Sequence, residues 1–291
     1  MRKGSLLIII VLIATAFAAG IYFKDDTIKL YGGFSEKVKE LKQQDIGQIV
    51  TEIKKQVLTP TPLNVGGSEK EATLLYSKII AETNLQRQEN GNLPALVENS
   101  LLNKAASAKA NDMFKNQYFE HVSPSGVEPG QLVKSYGYDY VVAGENLILG
   151  NFNSEKELVQ AWMDSQGHRE NILNKRYSEI GVAIIKGEYQ GQTVWIGVQE
   201  FGLPLSVCAE PNNDLKNKIE IDRDLLDDLY VQIEEKKSEI ENTNEKTPYY
   251  KQMIDDYNQL VERYNVLAGQ IKTEITDYNN QVNVFNNCVS G

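Results

Sequence analysis

Hydrophobic and polar positions change their pattern several times along this chain. From Ser5 to Phe23 there is no charge at all, a run of 19 residues set between Arg2-Lys3 and Lys24-Asp25-Asp26. At ~1.5 Å per residue the run nearly crosses a hydrocarbon layer of about 30 Å. It therefore predicts a membrane segment over 1–24, with positive charge ahead of it placing the rest of the chain outside the cytoplasm. The segment is either a retained anchor or a cleaved signal, because Ala14-Thr15-Ala16 and Ala16-Phe17-Ala18 both carry the small-x-small pattern of a cleavage site. Asp25 to Val57 is polar and weakly periodic, and Leu58 to Ser68 is rich in Pro, Gly and Ser. Together they predict a stalk and linker over 25–69.

From Glu71 the pattern becomes that of a folded body. Leu74, Leu75, Ile79, Ile80 and Leu85 recur at helical spacing until Asn90-Gly91 stops them. A second helix is predicted over Ser100–Asn116, rich in alanine, and a third is opened by Asn153-Ser154 with Glu157 in capping-box register. Strand-forming runs occur at Tyr138–Val142, Glu145–Leu149, Ile180–Ile185 and Val194–Phe201. Helices and strands that mix without strict alternation predict an α+β layered domain, over 70–207.

Beyond Phe201 the periodicity is that of long helices. Ile219, Leu226, Ile233 and Ile240 repeat every seven residues. Met253, Tyr257, Leu260, Tyr264, Leu267 and Ile271 alternate four and three apart, then skip by four to Ile275, Tyr278, Val282 and Phe285. The pattern predicts an antiparallel α-helical hairpin, coiled-coil-like, over 208–291, with helices near 213–245 and 249–287 and a stutter in the second. The two cysteines, Cys208 and Cys288, flank it. Folding the hairpin back brings them to one end, where an oxidising compartment would join them; the alternative is two separate buried thiols.

Charge narrows the choice of partners. The net charge is −10, and Ala209–Gly291 alone holds 17 acidic against 9 basic residues. With no basic cluster interleaved with aromatics, nucleic acid is excluded as a partner.

Two histidines occur, His121 in Phe119-Glu120-His121-Val122-Ser123-Pro124 and His168 in Ser165-Gln166-Gly167-His168-Arg169-Glu170-Asn171, both among turn-forming residues. Between them lies Gly144-Glu145-Asn146. Two imidazoles and a carboxylate match the ligand count of an open zinc site, and equally an acid/base set. The blander alternative is a helix cap at His168 whose ring bonds Glu145. Glu200, in Val198-Gln199-Glu200-Phe201, reads as an outward, solvated strand position. No Gly-x-Ser-x-Gly or His-Glu-x-x-His pattern is present.

These segments, with Ala161-Trp162-Met163 through Leu173, Glu179-Ile180-Gly181-Val182 and the closing Val198–Gly202, resemble in order the bacterial branch of the CAP superfamily (SCP/PR-1-like) over about Glu71–Leu203. The resemblance implies an α-β-α sandwich whose cleft is lined by His121, Glu145 and His168, able in relatives to hold zinc or another divalent metal, and in some to bind lipid. The chain departs from the eukaryotic pattern where a second glutamate is expected three residues after the tryptophan. Ser165 stands there, with Asp164 beside it. Asn146 and Asn171 are expected to hold the cleft's backbone, with Asp164 and Ser165 as further support.

Three functions remain open at this point. The first is an extracytoplasmic binding module, membrane-anchored or secreted, taking a lipid, peptide or cell-envelope ligand, with a protein partner at the hairpin. The second is a metal-assisted hydrolase of peptide or wall material with Glu145 as base, and the third a structural surface protein.

Overall fold

The structure is a computed structural model that describes residues 55–290. The predicted membrane segment and most of the stalk lie outside the described residues. Among the described residues no helix is long and apolar enough to cross a membrane.

The first compact unit takes in Glu52–Ala209 and Phe285–Gly291. Its described elements in chain order are β1 (Gln56–Leu58), β2 (Leu63–Gly66), α1 (Tyr76–Glu89), β3 (Val97–Glu98), α2 (Ser100–Asn116), α3 (Pro129–Ser135), β4 (Tyr140–Gly150), α4 (Glu155–Asp164), α5 (Gln166–Ile172), β5 (Glu179–Tyr189) and β6 (Gln192–Pro204). The sheet runs β1-β4-β6-β5-β3, with β2 also on the outer edge of β4. Strands β4, β6 and β5 form an antiparallel centre, while β1, β2 and β3 add to its flanks in parallel.

Helices cover both faces, which gives the α-β-α layering. On one face Ala106, Ala110 and Met113 of α2 pack against Leu147, Leu149, Ile196 and Val198. On the other, Ile79 and Ile80 of α1, Leu158 and Trp162 of α4 and Ile172 of α5 pack against Ile148, Val182 and Phe201. With both faces covered, β4 is buried along its whole length.

Local chemistry explains the element ends. Asn99 caps α2, its side chain accepting from Leu101 N at 2.8 Å. Ser154 accepts from Glu157 N at 3.2 Å and Asn153 N donates back to Glu157 at 2.8 Å, as the capping pattern predicts. Strands β5 and β6 are joined through Gln190 and Gly191, both at positive φ, the backbone of a two-residue hairpin turn. Arg87, fully buried on α1, donates to the carbonyls of Pro94, Ile172 and Asn174 and so fixes the end of α5.

Three element assignments in this unit need correction. The Pro-rich stretch expected to be a linker carries β1 and β2. It is an edge extension of the sheet with two prolines between its paired parts. His168 lies within a short helix, α5, rather than in a turn. The strand-like runs at 138–142 and 145–149 are one continuous strand.

The second unit's described part is Glu210–Val284. It holds α6 (Asn213–Glu241) and most of α7 (Tyr250–Ser290), antiparallel as shown by Lys218 with Glu274 at 2.6 Å and Asn212 N with Gln281 at 2.9 Å. Ile219, Leu226, Leu229, Ile233 and Ile240 are buried on α6. On α7 the buried positions are Tyr257, Val261, Tyr264, Ala268, Ile271, Ile275, Tyr278 and Val282, an unbroken four-three alternation. The expected stutter is absent. Leu260 and Leu267 sit beside the seam only partly buried, and the smaller Val261 and Ala268 occupy it.

Within the first unit Cys208 and Cys288 form a disulfide with Cα atoms 5.6 Å apart.

Candidate functional site

The cleft lies where β4 is left unpaired on its outer edge. Strand β1 pairs with Val142–Gly144 and β2 with Ile148–Gly150, so Glu145, Asn146 and Leu147 have no ladder partner on that side. Thr59-Pro60-Thr61-Pro62 passes over the gap, because two prolines lack the N–H that a ladder needs.

His121 follows α2, beyond a left-handed turn at Gln117. Its Nδ1 meets Glu145 Oε1 at 2.5 Å, and its Nε2 bonds the carbonyl oxygen of Pro60. A carbonyl can only accept, so Nε2 carries a proton in this arrangement. Lys109 of α2, 3% exposed, reaches from the same side to donate to the His121 carbonyl at 2.5 Å.

The side chain that sequence reasoning missed is Glu200. Strand β6 sets it directly opposite Glu145, and both are buried, at 1% and 0% exposure. Burial, followed by the neighbouring charge of Glu145 and a hydrogen bond with it, pushes the Glu200 carboxyl well above its ordinary value, against a smaller opposing pull from Lys109. Glu145 Oε2 and Glu200 Oε1 are both buried without a hydrogen-bond partner. Burial lowers the Lys109 ammonium from its ordinary value, and Glu145 and Glu200 partly offset that. A signal for Glu200 existed in the chain. A strand central to a sheet covered on both faces has no outward side, so a glutamate in Val198–Phe201 had to be buried.

His168 lies on the other face, 1% exposed, with Nδ1 at 2.8 Å from Ser165 Oγ and no hydrogen-bond partner for Nε2. Burial first, then the nearby positive charge of His121, brings its pKa down to about 4. Around it Asn146 donates to the His168 carbonyl and to Gln199, both at 3.2 Å, and Asn171 donates to Asn146 Oδ1 at 3.0 Å and the Leu58 carbonyl at 3.1 Å. These amides thus hold α5 and β1 to β4. Asp164 is exposed and accepts from Gln160 at 2.8 Å, outside this network.

Among the described residues no group of three or more His, Cys, Asp or Glu side chains is arranged to hold a metal ion. The hydrogen bonding gives the reason at His121. Nδ1 is taken by Glu145 and Nε2 points its proton at Pro60, so the ring has no free lone pair for a metal. The residues do not fit the expected zinc site while this arrangement holds.

The His121–Glu145 pair lies on one face of β4 and His168 of α5 on the other, tied to the strand through Asn146, and residues 80–201 match the Cysteine-rich secretory protein family (CAP). Residues 80–201 form a CAP-family domain. The uncharacterized protein YkwD of Bacillus subtilis (strain 168) is 39% identical over 133 residues, 46% of this chain and 48% of that one. The uncharacterized membrane protein YlbC of the same organism is 28% identical over 134 residues, 46% of this chain and 38% of that one. The chain spans about half the length of these curated relatives or less. A crystal structure of an extracellular protein containing an SCP domain from Bacillus anthracis str. Ames is 28% identical, covering 44% of this chain and 39% of that one at a TM-score of 0.37.

Proposed function

We propose that the chain is an extracytoplasmic binding module, tethered or released, whose CAP-domain cleft holds a ligand by hydrogen bonds and does not turn it over. The observation behind this reading is His121. It is clamped by Glu145 on one nitrogen and aims the other, protonated, at a backbone carbonyl in the cleft. That is a recognition contact for a carbonyl-bearing ligand. Glu145, expected as a general base in the hydrolase reading, is buried between His121 and Glu200 and has no exposed surface for a water.

The hydrolase reading keeps one observation in its favour, the 2.8 Å contact between Ser165 Oγ and His168 Nδ1, a nucleophile-base spacing. Against it, an imidazole with a pKa of about 4 is a weak base near neutrality.

Incubating the full chain with peptide and wall-fragment mixtures separates the two. Ligand retained intact, with retention lost in His121→Ala, supports the module. Products formed by the wild type and abolished by Glu145→Gln or Ser165→Ala would establish the hydrolase instead. A reporter fused after Phe201 and active only outside the cell checks the topology.

A further inference from the structure

We propose that the cleft edge of β4 is a groove for an extended, proline-interrupted peptide, and that the chain's own Gln56–Gly66 is its resident intramolecular occupant. The inference rests on the binding reading above and names the ligand class. The family match begins at residue 80, so this strap lies outside the matched domain, yet it completes that domain's sheet.

The strap is held as a bound peptide is held. It adds in parallel to the edge of β4 at both ends, the geometry of strand addition. Five positions separate Leu58 from Leu63 on the strap, against four from Gly144 to Ile148 on β4. The extra residue, with Pro60 and Pro62, lifts the middle out of the ladder. There side chains replace the missing ladder bonds: His121 Nε2 donates to the Pro60 carbonyl and Asn171 Nδ2 to the Leu58 carbonyl.

Two glycines of the domain leave room for the strap. A Cβ at Gly167 would come within 2.7 Å of Pro60 Cβ, and one at Gly150 within 2.4 Å of Val65 Cγ2 and 2.9 Å of the Gly66 carbonyl oxygen. Real Cβ atoms essentially never come that close, so a side chain at either position would push the strap away from the edge of β4. Leu58 and Leu63 rest against the core as partly buried residues. No residue of 55–66 is fully buried. An occupant that completes the sheet yet is nowhere enclosed can leave without dismantling the core, and its proline content keeps it extended once free.

The test uses the full chain and a labelled peptide of sequence Lys55–Gly66, read by fluorescence anisotropy. Leu58→Ser/Leu63→Ser loosens the resident strap. This variant is expected to bind the peptide at least tenfold more tightly than the wild type, and adding Gly167→Leu is expected to abolish that binding. A peptide with alanine at both proline positions is expected to bind several-fold more weakly. No binding by the loosened but folded variant, or equal binding with Gly167→Leu present, would overturn the proposal. If the wild type still retained other envelope ligands through His121, the broader binding reading would stand without it. Hydrogen exchange on the wild type gives a check independent of variants. Strap amides should exchange at least tenfold faster than the β5–β6 amides, and equal protection would also overturn the proposal.

Discussion

Glu145 on β4 and Glu200 on β6 face one another directly across an antiparallel ladder, both buried, and burial beside Glu145 holds the Glu200 carboxyl well above its ordinary value. An unfolded glutamate releases its proton near 4.5, whereas Glu200 keeps it well above that value. Stability from this pair is therefore full below pH 4.5 and declines as pH rises toward the folded value. Glu200→Gln retains a hydrogen-bond donor to Glu145 and removes the charge that must be suppressed. Thermal unfolding at pH 7 to 8 should show it more stable than the wild type, by ~2–4 °C for each kcal/mol recovered, with the difference shrinking toward pH 4.5. A melting point at pH 8 equal to or below that of the wild type would mean that burial beside Glu145 does not penalise the Glu200 charge.

His168 works in the opposite sense. An unfolded histidine takes up its proton near 6.5, and His168 resists until about 4. Its contribution is present above pH 6.5 and is lost as pH falls from 6.5 to about 4, on the order of 3 kcal/mol in all. An NMR titration should find the ring neutral at pH 5. A midpoint near 6.5 would mean that α5 does not bury it as described.

The disulfide between Cys208 and Cys288 closes a separation of 80 residues. Chain entropy assigns such a closure about 4 kcal/mol. Cys208→Ser/Cys288→Ser should therefore melt about 10 °C lower at unchanged pH, and mass spectrometry of the unreduced protein should find one linked peptide pair. Two free thiols in the protein would contradict the fold of the last helix.

Gly181 marks where α2 lies closest to the sheet. A Cβ there would come within 2.2 Å of the Leu102 carbonyl carbon and 2.3 Å of Asn103 N, both backbone atoms that cannot swing aside. Gly181→Ala should cost about 1–3 kcal/mol through the shift it forces, measured by denaturant unfolding. A neutral effect would mean that α2 packs further out.

How much of this was legible in the chain depended on whether a local pattern matched its surroundings. The helix over Ser100–Asn116 and the cap at Ser154 were readable because alanine spacing and capping chemistry are local. The seam of α7 was misread at Leu260 and Leu267, where hydrophobicity outvoted register; geometry chose Val261 and Ala268. Glu200 was misread because alternation on a strand says nothing about a sheet covered on both sides. The strap was misread because prolines exclude a regular ladder but permit an edge strand interrupted at its centre. Motif and order named His121, Glu145, His168, Asn146 and Asn171, but not the bonds that tie His121 to both Glu145 and Pro60.

The account turns on His121 as a donor to a carbonyl in the cleft, and long-range proton–nitrogen NMR of its ring measures this directly. The result expected is a protonated Nε2 with a through-hydrogen-bond coupling to the Pro60 carbonyl. An unprotonated Nε2, its lone pair open to the cleft, would contradict both the binding mode and the resident strap.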